Sequence, residues 1–498
     1  MPVCKIVKKH KNDTFLKKGT LLCGLWNYII GLQRKRDSDY RPGTSLKEEI
    51  EMRMKKAAAF LLAGVMAFSM AACGDDTDTP GTQKTGGDSE NKGGGETLVV
   101  WSLADDLKQF AERYEEKTGV KVQVEVTAPA DYSTKLTSAL GAQSDEADII
   151  VGEPQMLGNF FEAGFFEDLS SLDEEAKSSI VDYVYEAGKD DSGVLRALSY
   201  QVTPGAVIYR RDLAQEIFGT DDPDAMSEKF KDYDTILQTA KDVKDKGYRI
   251  FSDSGNLRWY ANAGAPWVKD GVLELSDAKL GYMDAAVKLY QDELVAFAPE
   301  WSAAWYASMA GELPLNAEWA EADDLDSLEG DKTQIFAYSL PSWGALIVRD
   351  NANENKGKFG ICSGPCSYFG GGTFIGVNSY SKKKEAAIDF VKFCTLNEET
   401  AQWWLENSNG DVVSNKAVLE KNKDFENESF GNQKTYAFYM KEAENIDYSV
   451  VTKYDDTIGN FWGEEIERVQ KGEMTKDEAI EDFYMQVETT FPEIEIKK

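Results

Sequence analysis

Aromatic residues recur beside Gly, Pro, Asn or Ser at the ends of predicted segments, where loops begin. The clusters lie at 101–102, 256–260, 341–344, 368–371 and 460–463. Flat aromatic faces beside amide, hydroxyl and carboxylate groups suit a solute with apolar C–H faces and polar edges, such as a sugar ring in a partly dry cleft. Any one of the 11 Trp residues fits core packing equally well. The clustering is more informative than its members, and it indicates a binding site.

Groups for catalysis are scarce in comparison. The single His of the chain is His10, so the remainder cannot form a Ser-His-Asp, Cys-His or His-based zinc arrangement. The sequence contains no Gly-x-x-x-x-Gly-Lys-Ser/Thr, and the glycines at 370–372 lack the context of a nucleotide loop. Paired carboxylates for glycoside hydrolysis stay open, because so many acidic residues guarantee chance pairs. We predict a protein that is not an enzyme and needs no cofactor or metal.

Three cysteines fall within the predicted folded part: Cys362, Cys366 and Cys394. A Cys-x3-Cys spacing with no nearby His is a poor zinc motif. A local disulfide between Cys362 and Cys366 and a set of buried thiols remain as alternatives.

Charge divides the chain at Cys73. The residues before it carry 14 Lys/Arg against 6 Asp/Glu, and the rest of the chain's 55 basic and 87 acidic residues follow. A strongly acidic surface repels phosphate backbones and anionic lipid headgroups. The composition therefore argues against nucleic acid and direct lipid recognition as functions.

The segment 54–72 has the layout of a signal peptide, with a basic start, an apolar core and small residues at its end. Its apolar run is shorter than the roughly 20 residues that a spanning helix needs. Residues 69–73, Ser-Met-Ala-Ala-Cys, resemble the lipobox of bacterial lipoproteins. That resemblance implies lipidation of Cys73 and a membrane anchor made of acyl chains. The alternative is an ordinary signal peptide followed by an incidental Cys.

Two further segments flank this signal. Residues 1–53 precede it, and because signal peptides rarely begin so far into a chain, we expect translation to start at Met52 or Met54. A genuine extension is the alternative. Residues 73–96 are rich in Gly, Asp, Thr and Ser, which predicts a flexible linker.

The folded part begins with alternating strands and helices. The spacing predicts a strand, helix, strand, helix and strand at 97–102, 107–118, 120–126, 131–142 and 147–151. The first helix carries apolar residues at i, i+3, i+4 and i+7 from Leu107 and ends before Gly119. The second begins with Asp131 as its N-cap. Right-handed crossovers then require a parallel sheet flanked by helices.

The pattern of the remaining residues predicts mostly helices, with short strands at 206–209, 334–338 and 373–377. Near the C-terminus, Thr475 and Glu478 form a capping box. A single core rarely grows to about 400 residues. We therefore predict two α/β lobes in close contact.

Several short motifs between residues 98 and 491 match, in their order and spacing, the motifs of one protein family. They include VVWS (99–102), TGVKV (118–122), ADIIVG (147–152), EAGFFEDL (162–169), GAVIY (205–209), RDL (211–213) and GGGTFIGV (370–377), and residues 381–391. The chain is similar to extracellular solute-binding proteins of carbohydrate-uptake ABC importers, the group that includes the maltose-binding proteins.

The resemblance implies a two-lobed periplasmic-binding-protein-like fold of type II. Each lobe would be a mixed or parallel sheet flanked by helices, with a hinge between the lobes and the ligand held between them. We assign residues 97–498 to this domain. Lobe 1 would comprise 97–202 and 357–400, and lobe 2 would comprise 203–356 and 401–498.

The same resemblance implies particular ligand contacts. Trp101 and Asp105 match contacts after the first strand, and Trp259, Trp343 and Trp462 match stacking aromatics of the second lobe. Where several sugar binders carry an aromatic residue after the third strand, this chain has Gly152, so the stacking on the first lobe differs. Further candidates are Glu153, Tyr200, Thr203, Asn256, Tyr368 and Phe369.

Together these features predict a monomeric, lipid-anchored receptor on the extracytoplasmic face of the cell membrane. It would capture a sugar or oligosaccharide and deliver it to the permease of an ABC importer. A receptor of the same fold for a polyamine or other cation is one alternative, since acidity and aromatics suit cations too. A surface carbohydrate-active enzyme is the other.

Overall fold

A computed structural model describes residues 97–498, apart from residues 316, 318, 319, 323 and 409. The predicted extension, the signal peptide, Cys73 and the linker lie outside the described residues. None of the helices in the described part of the chain combines the length and apolar composition that crossing a membrane would need.

The strands form one large sheet and three small ones. The large sheet has five strands in the order β2-β1-β3-β12-β4, and a second sheet has the order β10-β5-β11. The remaining small sheets are β13-β7-β6 and β8-β9. In chain order the strands are β1 Leu98–Ser102, β2 Val122–Val126, β3 Ile149–Gly152, β4 Ala197–Ser199, β5 Gly205–Arg210, β6 Val268–Lys269, β7 Val272–Glu274, β8 Leu313–Pro314, β9 Lys332–Thr333, β10 Ala337–Pro341, β11 Phe359–Cys362, β12 Phe374–Val377 and β13 Glu495–Lys497.

Helices connect and cover these sheets. In chain order they are α1 Leu107–Thr118, α2 Pro129–Gly141, α3 Pro154–Glu162, α4 Asp173–Ser179, α5 Asp182–Ala187, α6 Arg211–Phe218, α7 Pro223–Lys229, α8 Tyr233–Lys244, α9 Arg258–Gly264, α10 Asp277–Gln291, α11 Ala303–Ala310, α12 Ser342–Asn351, α13 Lys384–Thr395, α14 Glu398–Asn407, α15 Lys416–Asn422, α16 Thr435–Ala443, α17 Asp455–Gln470 and α18 Lys476–Thr490.

The five-stranded sheet begins as the predicted β-α-β-α-β unit. Strands β1 and β2 pair in parallel, as do β1 and β3. Strand β12 returns from much later in the chain and pairs antiparallel with both β3 and β4. The sheet is therefore mixed, and its last strand ties the two halves of the chain together.

Two hydrophobic cores divide the described chain. The first surrounds the five-stranded sheet, and the second lies under helices α8, α10, α17 and α18. Strand β5 is buried along its whole length. Its residues alternate between the cores, with Ala206 and Ile208 in the first and Val207 and Tyr209 in the second. The second sheet thus lies between the two cores, with one of its faces packed in each.

Three segments run side by side where the chain passes between the two sheets. Residues 200–204 lead from β4 to β5, residues 363–373 lead from β11 to β12, and residues 411–414 lie alongside. Backbone bonds join them: Gly205 N donates to Tyr368 O at 3.0 Å, Gly370 N to Thr203 O at 3.0 Å, and Val202 N to Val412 O at 2.7 Å. These segments form the connection about which the two lobes would open.

Most predicted elements are confirmed, with small corrections. Gly119 ends α1 in the left-handed conformation at φ 77°, and the capping box of Thr475 and Glu478 is complete. Asp131 is not an N-cap. Helix α2 begins two residues earlier at Pro129, because the fixed φ of proline suits the first helical position. The strand expected at 334–338 instead occupies Ala337–Pro341.

One predicted lobe boundary is wrong. Strand β11, which the sequence placed in the first lobe, pairs with β5 of the second sheet.

Cys362, Cys366 and Cys394 are all free thiols. The disulfide alternative is therefore not formed, and only Cys362 and Cys394 are buried.

Candidate functional site

A pocket of about 860 Å³ opens between the two lobes. Glu153 and Gln155 contribute to it from the end of β3 and the start of α3, while α9 and α17 close it from the second core. The return segment supplies Tyr368 and Phe369. Other lining residues include Arg258, Trp259, Asn262, Trp267, Cys366, Asn445, Asp447, Asp455, Asp456, Asn460 and Trp462.

Aromatic rings make up one wall of this pocket. Trp259 and Tyr368 stack with ring centroids 5.5 Å apart and an interplanar angle of 8°. Tyr260 meets Tyr368 edge-on at 5.1 Å, and Trp267 meets Trp462 at 6.3 Å. Such pairs fix one another's orientation. The wall is therefore preorganised, with little freedom to lose when a ligand binds.

Several polar atoms of the lining have no hydrogen-bond partner among the described residues. They are Trp259 Nε1, Trp267 Nε1, Trp462 Nε1, Tyr368 OH and Gln155 Oε1. Buried polar groups in proteins are almost always paired, with protein, water or ligand. Residues that line the pocket thus carry polar groups that the protein itself leaves unsatisfied.

Carboxylates give the pocket a negative field. Glu153 is exposed to the solvent of the cleft, while protein surrounds the cleft itself. This confinement and the nearby Asp456 raise the pKa of Glu153 to about 7, against the influence of Arg258. Burial raises the pKa of Asp455 to about 6, although Thr452 Oγ1 donates a hydrogen bond to it at 2.5 Å.

The two cations near the pocket are already engaged. Arg258 Nη2 donates to Glu300 Oε2 at 2.6 Å, and its guanidinium lies 4.5 Å from the Trp259 ring centroid. Lys279 lies behind the wall, fully buried, with Nζ 4.4 Å from the Trp267 ring centroid and bonded to the Ala261 and Ala265 carbonyls. The charge of Arg258 is thus balanced by Glu300, and Lys279 is buried out of reach of a ligand.

Comparison with known proteins identifies the family. Residues 109–429 match the family of bacterial extracellular solute-binding proteins. The chain belongs to this family. This solute-binding protein is 28% identical over 382 residues to the diacetylchitobiose binding protein DasA of Streptomyces coelicolor, covering 74% of this chain and 84% of that protein. It is 22% identical over 386 residues to the erythritol/L-threitol-binding protein of Mycolicibacterium smegmatis, covering 70% and 78%.

Solved structures confirm the fold of the solute-binding protein. A crystal structure of an extracellular solute-binding protein of family 1 aligns with a TM-score of 0.65 at 19% identity, over 79% of this chain and 99% of that one. The ABC transporter associated binding protein from B. animalis subsp. lactis, in complex with β-1,6-galactobiose, aligns with a TM-score of 0.62 at 20% identity. That alignment covers 81% of this chain and 100% of the other. The predicted two-lobed architecture is therefore correct.

The structure brings five of the predicted site residues together in the pocket: Glu153, Trp259, Tyr368, Phe369 and Trp462. Four different stretches of sequence supply them. Trp462 is almost fully buried and packs against Phe483 as well as Trp267, so it supports the wall more than it offers a free face.

The other predicted residues lie outside the lining of this pocket. Trp101 is buried with Lys135 Nζ 3.9 Å from its ring centroid, and Asp105 is exposed and paired with Lys108. Trp343 Nε1 donates to Gly370 O at 2.9 Å, and its ring stacks on Trp301 with centroids 5.8 Å apart.

Tyr200, Thr203 and Asn256 are buried and bonded internally. Tyr200 OH donates to Asp106 Oδ2 at 2.7 Å, and Thr203 Oγ1 donates to Gly371 O at 2.9 Å. Asn256 Oδ1 accepts from Ser339 N at 3.2 Å. Of these bonds, the one between Thr203 and Gly371 joins two of the segments that run between the lobes.

Sequence reasoning missed several residues of the lining, notably Gln155, Arg258, Trp267, Asp455 and Asp456. Arg258 directly precedes Trp259 in the sequence, so it could have been selected as the neighbour of a predicted binding residue. Asp455 and Asp456 begin α17, where acidic residues are common for helix stability alone. Nothing in the sequence distinguishes these two from the other acidic helix starts.

Proposed function

We propose that this solute-binding protein captures a sugar or short oligosaccharide between its lobes and delivers it to the permease of an ABC importer, without catalysing a reaction. The observation that carries the proposal is the pocket itself. It combines stacked aromatic rings with unpaired polar atoms at the junction of the two lobes. Its volume of about 860 Å³ suits a ligand of limited length rather than a polymer.

The relatives support the same class of ligand. One is named for diacetylchitobiose and another for erythritol and L-threitol, and a solved neighbour holds β-1,6-galactobiose. All of these molecules carry hydroxyl groups on a carbon skeleton. The unpaired indole N–H groups and the Gln155 amide oxygen of this pocket suit such edges, and the rings suit the C–H faces.

We further propose that the protein acts as a monomer held on the extracytoplasmic face of the cell membrane by lipid on Cys73. The family's extracellular location and the lipobox-like residues 69–73 support this. The unaltered protein should incorporate labelled fatty acid in growing cells, whereas the Cys73→Ser variant should incorporate none. Equal labelling of the two proteins would contradict lipidation of Cys73.

We expect the Trp259→Ala variant to bind its sugar at least tenfold more weakly than the unaltered protein. The substitution removes an aromatic face from the pocket wall and releases the stacked Tyr368, while hot-spot aromatics typically contribute 2 kcal/mol or more. A panel of saccharides titrated against intrinsic Trp fluorescence would first find the ligand, and calorimetry on the variant would then give its affinity.

Trp343→Ala is the matched control for this experiment. Trp343 is also a partly buried indole with a neighbouring stacked ring, but it lies outside the pocket lining, so its loss should change affinity less than twofold. The opposite ranking would move the binding site to the Trp343 side of the connection. Absence of saturable binding by any saccharide in the panel would overturn the proposed function.

A further inference from the structure

The pocket has a charge imbalance that a neutral sugar does not explain. Four carboxylates line it, those of Glu153, Asp447, Asp455 and Asp456. The neighbouring cations are Arg258, which is paired with Glu300, and Lys279 behind the wall. When all are ionised, five carboxylates face two cations, which leaves three negative charges around one cavity.

Two of these carboxylates have no internal partner. Asp447 Oδ1 accepts from Ser449 N at 3.0 Å and Oγ at 2.6 Å, and Asp455 accepts from Thr452. Within the described residues, Glu153 and Asp456 accept no side-chain or backbone hydrogen bond and form no ion pair. Both side chains are exposed to the cleft. They are therefore the two lining carboxylates whose oxygens are both free for a ligand.

A glycine next to Glu153 leaves room for its carboxylate. Gly371 has a φ of 72°, and a Cβ at that position would lie 2.8 Å from Glu153 Oε1. Glu153 follows β3 of the five-stranded sheet, whereas Asp456 belongs to α17 of the second core. The two free carboxylates thus come from different lobes and meet at the pocket, near enough for Asp456 to raise the pKa of Glu153.

A second set of groups in the same cavity also indicates a ligand. Trp267 and Trp462 are each at least 98% buried, and the indole N–H of each has no hydrogen-bond partner among the described residues. Aromatic rings beside carboxylates are a favourable environment for an organic cation. The donors require acceptor oxygens on that same molecule, which a simple polyamine does not carry.

We infer that the solute is a sugar bearing a protonated amine, an amino sugar or its oligosaccharide, whose ammonium group is held by Glu153 and Asp456. The inference rests on the proposed function and narrows its substrate class. The ammonium group donates up to three hydrogen bonds, enough to satisfy both free carboxylates. The hydroxyl oxygens of the sugar accept from the unpaired donors of the aromatic wall.

The test compares two disaccharides with one skeleton: β-1,4-linked glucosamine disaccharide and its di-N-acetylated form, which lacks the charge. Calorimetry at pH 7 should give at least tenfold tighter binding of the amine form. Glu153→Gln should weaken binding of the amine form at least tenfold and change that of the acetylated form less than twofold. Glu174→Gln, an exposed carboxylate of α4 with the same change in net charge, should change neither.

A pH series adds a readout that a structural role for Glu153 would not give. Because the pKa of Glu153 in the free protein is about 7 and a bound ammonium would lower it, the contribution of Glu153 to affinity is gained as pH rises through 7 and lost as pH falls. The ratio of unaltered to Glu153→Gln affinity should fall about threefold between pH 7.5 and 6.5, as the ionised fraction of Glu153 falls. The ratio removes the effect of protonation of the sugar amine, because that effect is the same for both proteins. It likewise removes the effect of Asp456 and Arg258, the other charged groups that face Glu153.

The outcomes separate this inference from the proposed function. Equal or tighter binding of the acetylated form would overturn the inference and leave a sugar receptor. A ratio that does not change with pH would remove Glu153 as the counter-charge. Saturable binding of spermidine with no binding of either disaccharide or of any other saccharide would overturn both.

Discussion

The Gly205→Ala variant should unfold at a markedly lower urea concentration than the unaltered protein, with a loss of about 3 kcal/mol of unfolding free energy, the upper end of the cost of overpacking. A Cβ at Gly205 would lie 1.9 Å from both Cε1 and Cζ of the Tyr368 ring, far inside contact distance. Neither partner can yield easily, because Gly205 N donates to Tyr368 O at 3.0 Å and both residues are buried. Urea titration monitored by circular dichroism would measure the loss.

The same substitution should weaken ligand binding, because the Tyr368 ring must leave its stack with Trp259 to make room. Gly141→Ala is the matched control. Gly141 is the last residue of α2, and an added Cβ there meets nothing within 4 Å, so stability should be unchanged or slightly higher. Equal unfolding midpoints for Gly205→Ala and the unaltered protein would show that the connection between the lobes is loose.

The first part of the fold was predictable because its signals are local. The apolar positions of α1 recur at helical spacing, and Leu107, Phe110, Ala111 and Tyr114 are all buried as that spacing requires. Strand β3 reads as one apolar run because both faces of a central strand are covered. These patterns need no knowledge of distant residues.

The pairing of β12 depends on residues far apart in sequence. Val377 lies opposite Ile149, more than two hundred positions earlier, and only the family resemblance suggested such a return. The same limit explains β11, whose partner β5 is also distant in sequence. Sequence periodicity indicates that a strand exists but does not identify the sheet that it joins.

The site was partly predictable for a related reason. Trp259 and Trp343 have the same type of sequence context, but only Trp259 lines the pocket. Which side of the connection each ring occupies depends on packing between segments distant in sequence. Tyr200 and Thr203 were placed correctly in the segment between the sheets, yet their hydroxyl groups bond within the protein. Carboxylates such as Asp456 could not be selected, since the sequence offers dozens of equivalent acids.

The Arg258→Met variant should lose about 2 kcal/mol of unfolding free energy, because Glu300 is then left buried without its counter-charge. The Glu300 side chain is only 9% exposed, and Oε1 already has no partner among the described residues. Removing one member of a fully buried pair costs 3–5 kcal/mol. The Arg258 side chain retains 38% exposure at the pocket, so the expected loss is smaller. Methionine preserves much of the contact with the Trp259 ring, and urea denaturation would measure the change.

A double variant separates the charge from the packing in this pair. If the loss comes from the stranded carboxylate, Arg258→Met with Glu300→Gln should recover at least half of it, because an amide is far less costly to bury unpaired than a charge. The exposed pair of Lys497 and Glu274, with a 2.8 Å contact, supplies the control, and Lys497→Met should cost less than about 0.5 kcal/mol. Additive losses in the double variant would instead assign Arg258 a packing role against Trp259, with its charge of little consequence for stability.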